Sequence, residues 1–253
     1  MKKNPESGNI KNLASMQLLI SYCTQMGSKY NPANQLISLA RLRSLYTTAA
    51  LAQDEVNNRV NEENNAKNLR YYAFQGLGTL CSSVVASYTS GGASIESIRD
   101  AQYLLRKVQG RRAKAIEPPP AVKEGETAAQ VNHISASQSG MDQQINHFSR
   151  LITLLSADSI YKPNEEELTL EKLADRLELM KKRNEEVLTA TAILTSARSQ
   201  RNIVMYDHNA GMVDMALLTK KYVRSVYQGK GDEFKKINSI PFRNYRPKKK
   251  QSR

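Results

Sequence analysis

Tryptophan is absent from this 253-residue chain and phenylalanine occurs only four times, whereas tyrosine occurs twelve times. Glycine and proline are sparse, at 12 and 8 residues, and are gathered at a few places. That scarcity argues against an all-β fold with many turns. The hydrophobic fraction of 40% is modest. It suits a helical protein, in which each helix needs only one apolar stripe.

Cysteine is nearly absent too. Cys23 and Cys81 lie in the apolar runs "LLISYC" and "GLGTLCSSVV", outside any C-x-x-C pair and away from histidine. They read as buried free thiols in a reducing compartment, with a disulfide as the alternative. No run approaches the roughly 18 apolar residues of a membrane-spanning helix. The N-terminus "MKKNPESGNIKNLASMQLLISYC" begins basic, but polar residues interrupt it and no small-residue cleavage site follows. A soluble, cytoplasmic protein is expected.

Chemistry-bearing motifs are also missing. His133, His147 and His208 are scattered, with no H-E-x-x-H, E-x-x-H or Cys-His set, so no metal site is expected. The paired glycines of "GLGTLCSS" and "TSGGAS" do not continue to G-K-[ST] and follow no strand pattern; they read as a helix start and a turn. There is no G-x-S-x-G, and no serine has a spaced histidine and acid. Neither a catalytic constellation nor a cofactor is expected.

What is present is positive charge and helical periodicity. The net charge is +13, and six cations fall in the last eleven residues: Arg243, Arg246, Lys248, Lys249, Lys250 and Arg253. Further clusters occur in "RKVQGRRAK" and "KKYVR". Ile10, Leu13, Met16, Leu19, Ile20, Cys23 and Met26 recur at spacings of three and four, predicting a first helix. After Pro32, Leu36, Leu39, Leu42, Ala49, Val56 and Val60 keep one face apolar, and the helix is expected to run on through "DEVNNRVNEENNAKN". A helix through "YYAFQGLGTLCSSVVASY" follows, its start loosened by Gly76 and Gly78. Ser94 caps the next, and Gly110 stops it. "RRAKAIEPPPAVKEGETAAQ" then reads as an extended linker.

Beyond it, Ile145, Phe148, Leu151, Ile152 and Leu155 share a helical face. A long helix is predicted from about 165 to 205 on Leu170, Leu173, Leu177, Met180, Val187 and Leu194, with Asn184 and Thr191 filling gaps in a near-heptad pattern. The acids Glu165 to Glu167 are expected in its first turn, where the helix dipole favours them. "YDHNAG" ends it, and two shorter helices follow.

"YNPANQLISL" and "YKPNEEELTL" open the two long helices and stand 131 positions apart. The offset carries Tyr30 onto Tyr161, Pro32 onto Pro163, Leu42 onto Leu173, Val56 onto Val187 and Arg70 onto Arg201. With a further shift of eight, absorbed by "YDHNAGMV", Val84 and Tyr88 meet Val223 and Tyr227. A constant offset with matching element order implies an internal duplication. In "YKPNEEELTLEKLADRL", "SARSQRNIVMYDHNAGMVDMA", "KKYVRSVYQGKGDEFKKINSIPF" and "HISASQSGMDQQINHFSRLITLL" the chain resembles a family of uncharacterised helical proteins common in Bacteroidetes. The resemblance covers most of the chain after residue 130 and implies a helical fold but no activity.

The expected fold is therefore all-α: an elongated bundle of two related three- to four-helix units. They comprise residues 1–112 and 132–240, with a proline-containing linker at 113–131 and a basic tail at 241–253. Arg70 and Arg201 occupy the same place in each repeat. They would either contact an anionic ligand or partner, or ion-pair with a neighbouring helix in the bundle. The leading expectation is a non-enzymatic scaffold that binds a protein partner or itself through long helical faces. The alternative is a nucleic-acid-binding accessory protein acting through Arg243, Arg246, Lys248, Lys249 and Lys250, although no nucleic-acid-binding motif accompanies them. A tail that merely solubilises is the bland reading.

Overall fold

The computed structural model describes residues 6–110 and 140–244. The linker expected at 113–131 and the tail cations Arg246, Lys248, Lys249 and Lys250 lie outside the described residues. Within them the regular structure is helical: α1 (Glu6–Gln25), α2 (Leu39–Phe74), α3 (Leu77–Ser90), α4 (Ile95–Val108), α5 (Met141–Ser156), α6 (Leu170–Tyr206), α7 (Met212–Val226) and α8 (Asp232–Ser239). None is long and apolar enough to cross a membrane.

The polar run in the middle of α2 does not break it. At 36 residues this helix extends about 54 Å. Arg59 pairs with Glu55 at 2.7 Å and with Glu62 at 2.6 Å along one face. Such exposed pairs add only a few tenths of a kcal/mol each. Apolar burial elsewhere on the helix must supply the rest. The helix stops at Gly76, whose φ of +77° suits glycine and lets the chain turn directly into α3. Ser94 caps α4 by accepting from the Ser97 N–H at 3.1 Å. Gly211, between α6 and α7, has no room for a side chain, because a Cβ there would lie 2.6 Å from the Asp207 nitrogen.

The two proline-containing corners differ from the expectation in one respect. The long helices do not start just after Pro32 and Pro163. Each is preceded by one 3₁₀ turn, Gln35–Ile37 before α2 and Glu166–Leu168 before α6. Glu166 and Glu167 therefore belong to that short turn, and only Glu171 stands in the first turn of α6. The cause is a tyrosine. The Tyr161 hydroxyl donates to the Leu168 carbonyl at 2.6 Å, and the Tyr30 hydroxyl to the Ile37 carbonyl at 2.5 Å. Each bond ties the corner shut seven residues on and delays the helix. Thr169, in extended conformation, then launches α6 by accepting from the Lys172 N–H at 3.4 Å.

Grouped by packing, the chain forms two compact units, each drawing on both segments expected as repeats. One comprises Met1–Asn64 and Ala190–Arg253, the other Asn65–Thr189. In the first, Met16, Leu19, Cys23, Leu42 and Ala49 pack with Met205, Met212, Ala216 and Val223. Lys220 Nζ reaches the Asn238 and Ile240 carbonyls at 2.6 and 3.0 Å, anchoring the end of α8. The second unit is built on Cys81, Val84, Tyr88, Leu104, Phe148, Leu151, Leu155 and Leu173. There α4 lies against both α3 and α5.

The corner bonds make a direct prediction. Tyr161→Phe keeps the ring but leaves the Leu168 carbonyl without its donor, so equilibrium urea unfolding should show a loss of about 1–2 kcal/mol. Tyr30→Phe should cost a similar amount. A change within ~0.3 kcal/mol for either would mean that packing alone sets that corner.

Candidate functional site

Polar groups on the inner faces of the helices concentrate around the two arginines that the sequence singles out. Arg201, on α6 in the first unit, is only 4% exposed. Its Nη1 reaches the Gln53 Oε1 on α2 at 3.4 Å, while its Nε and Nη2 reach the Asn202 Oδ1 at 3.3 and 3.0 Å. Asn9, on α1, is satisfied when its amide oxygen accepts from both guanidinium Nη atoms at 3.2 Å and its amide nitrogen donates to the Tyr206 hydroxyl. Asn12, one turn further along α1, donates to the Tyr206 hydroxyl at 3.2 Å and to the Arg243 carbonyl at 2.8 Å. It also accepts from the Arg243 N–H at 2.9 Å. Arg243 is thus held by its backbone while its side chain stays exposed.

In the second unit Arg70, on α2, is half-buried. Its Nη1 donates to the Asn184 Oδ1 at 3.0 Å, and the Asn184 Nδ2 donates to the Asp142 Oδ1 at 2.7 Å. The amide stands between a cation and an anion and satisfies both. Both arginines reach across to an amide oxygen on the other long helix, where the structural expectation is an ion pair. Seven residues of these clusters were not singled out as site residues: Asn9, Asn12, Gln53, Asp142, Asn184, Asn202 and Tyr206. A signal existed for some. Asn9 and Asn12 stand one turn apart and in step with Met16 and Leu19, and Asn184 fills a core position of the heptad-like pattern. Amides at core-facing positions demand a partner.

Other candidates divide cleanly. His147 is buried on α5, and neither ring nitrogen has a hydrogen-bond partner among the described residues. Burial, reinforced by the positive charges of Lys107 and Arg150, holds its imidazole below the usual histidine range. His208 is exposed, 3.9 Å from an Asp214 oxygen. Cys23 and Cys81 are both buried free thiols, pushed up to about 12 by burial, which leaves them protonated and unreactive at neutral pH. An open cleft of about 590 Å³ runs between α3 and α4, lined by Ser82, Val85, Ala86, Gln102, Leu105 and Arg106. Among the described residues no group of three or more His, Cys, Asp or Glu side chains could hold a metal ion.

Three outcomes follow. Arg201→Leu should strand the buried amides of Gln53 and Asn9, costing about 2–3 kcal/mol by chemical denaturation. Arg70→Leu, half-exposed, should cost about 1 kcal/mol, with a coupling of about 0.5–1.5 kcal/mol to Asn184→Ala in a double-mutant cycle. The His147 effect has a definite sign. Its folded pKa lies below its unfolded one, so the unfolded chain binds the proton more tightly. The stability associated with the neutral ring is complete above the unfolded value of about 6.5 and is lost as pH falls toward the folded value. Unfolding midpoints measured between pH 7.5 and 5.5 should fall on acidification and flatten in His147→Leu. No protein-family model, curated protein or solved structure matches the chain.

Proposed function

We propose that this chain is a duplicated, non-enzymatic helical protein that acts by binding a protein partner through the outer faces of its long helices. The observation carrying this reading is an exposed aromatic pair near the end of α2. Tyr71 and Tyr72 are 61% and 63% exposed, and their rings meet edge to face with centroids 5.7 Å apart. Leu69 lies beside them at 44% exposed. Aromatic side chains bound by little conformational entropy are favoured anchors at protein interfaces. The inner polar groups, by contrast, are spent on holding helices together. A cytoplasmic setting belongs to the same reading, since both thiols are free.

The duplication is supported by matched corner geometry. Asn34 and Glu165 have φ/ψ of −77°/110° and −77°/121°, and Ser38 and Thr169 have −62°/151° and −63°/148°. Tyr30 and Tyr161 are each 6% exposed, and Leu42 and Leu173 are both fully buried. After the long helices, burial favours pairing Leu77, Cys81, Val84 and Tyr88 with Met212, Ala216, Thr219 and Val223. That register lies one helical turn from the sequence pairing of Tyr88 with Tyr227.

The reading is tested by affinity capture from the native cell with the wild-type chain and with Tyr71→Ser/Tyr72→Ser. A partner retained by the first and lost by the second, with nuclease making no difference, is the expected result. Equal recovery by both would remove the aromatic pair from the interface. The net charge of +13 keeps the nucleic-acid reading as the second one. It expects capture abolished by nuclease, and affinity falling steeply with salt once Arg243, Arg246, Lys248, Lys249 and Lys250 are the contacts.

A further inference from the structure

The hydrogen-bonded pairs between the long helices have a property that neither helix shows alone. Adding 131 to Gln53 reaches Asn184, and subtracting 131 from Arg201 reaches Arg70. The bonded pair Gln53–Arg201 thus becomes the bonded pair Asn184–Arg70 with the two helices interchanged. A second pair behaves alike. The Thr191 hydroxyl donates to Glu63 at 2.9 Å, and the equivalents of these two residues are Val60 and Leu194. Those two meet in one apolar cluster with Val56 and Ala197. The chemistry of that pair has changed while the pairing has not.

The corners repeat the relation. Tyr30 packs edge-on against Tyr222 of α7, with centroids 5.3 Å apart and planes at 88°. Tyr161 packs edge-on against Tyr88 of α3, at 6.1 Å and 73°. Each corner is covered by the helix that follows the other long helix, never by the one that follows its own. Tyr30 and α3 in fact belong to different compact units. A first half on its own would leave Tyr30, Gln53, Arg70 and Tyr88 all without these partners. A second copy of a like half would supply every one of them.

We propose that each half of the chain carries a complete surface for reciprocal exchange with a like half, so that the protein is an exchanged dimer joined into one chain. The partner this surface fits is therefore another half of the same kind, either the one covalently attached or one from a second molecule. This rests on the duplication reading and goes beyond it, because a tandem duplication could equally fold as two self-contained halves in series.

The test uses the full chain with a protease recognition sequence inserted after Pro120, cut under native conditions. Circular dichroism before and after cutting establishes that the helices persist. The two fragments should co-elute as a single one-to-one complex on size exclusion; fragments that separate would overturn the exchange. The complex is then unfolded in urea, refolded with either fragment in molar excess, and weighed by native mass spectrometry. Pairs of first with first, or second with second, should accompany the mixed pair. A mixed pair that persists while the excess fragment remains monomeric would overturn the likeness of the two surfaces. Neither result bears on partner capture through Tyr71 and Tyr72, so the two readings fail separately.

Discussion

A tyrosine hydroxyl bonded to a carbonyl seven residues downstream decides where each long helix begins, and the rest of the structure depends on that start. A helix buries a stripe of fixed angular position, so its first residue determines which side chains face inward. The Tyr161 bond to Leu168 inserts a 3₁₀ turn and opens α6 at Leu170, which turns Leu173, Leu177 and Met180 into the second core. The Tyr30 bond to Ile37 does the same for α2 and directs Leu42, Leu45 and Ala49 into the first. Proline at the corner removes a donor and fixes one torsion, but the hydroxyl closes the turn.

Once started, α2 and α6 are too polar to be held by apolar burial along their whole length. They are also joined by amide–guanidinium bonds, Gln53 with Arg201 in one unit and Asn184 with Arg70 in the other. Such groups gain little net stability when paired but cost a great deal when stranded. They therefore act chiefly on register. A slip of one turn would part Gln53 from Arg201 and Asn184 from Arg70. Arg201, fully enclosed and bonded to three amides, is the stricter of the two; Arg70 retains access to water.

Much of the helical layout was legible in the sequence because it follows from local rules. The stripe of α1, the continuity of α2, the stop at Gly110 and the Ser94 cap need only spacing, propensity and backbone preference. The helix expected through "YYAFQGLG" did not start there: "YYAF" ends α2, and Gly76 turns the chain into α3 at Leu77. The first-turn role expected for Glu165 to Glu167 failed for an equally plain reason. It treated proline as the start of the helix, whereas a hydrogen bond from a side chain outside the turn moved that start. The polar clusters were only half legible. Asn184 stood out within the heptad-like pattern and the two arginines stood out as equivalents, but nothing in the spacing joins Asn184 to Arg70 and Asp142, or Asn9 to Arg201 and Tyr206.

Composition and periodicity by themselves determined that the regular structure of the described residues is helical, where the principal helices lie, and that the two long helices open on the same device. These properties depend on neighbours within a turn or two along the chain. Only the tertiary structure decided which helices cover which corner, because α3 and α7 carry similar apolar stripes and either could pack against either tyrosine. It set Tyr222 on Tyr30 and Tyr88 on Tyr161, and it brought residues more than a hundred positions apart into the arginine–amide pairs. Periodicity records which face of a helix is buried; the partner on that face is chosen by the packing of the whole chain.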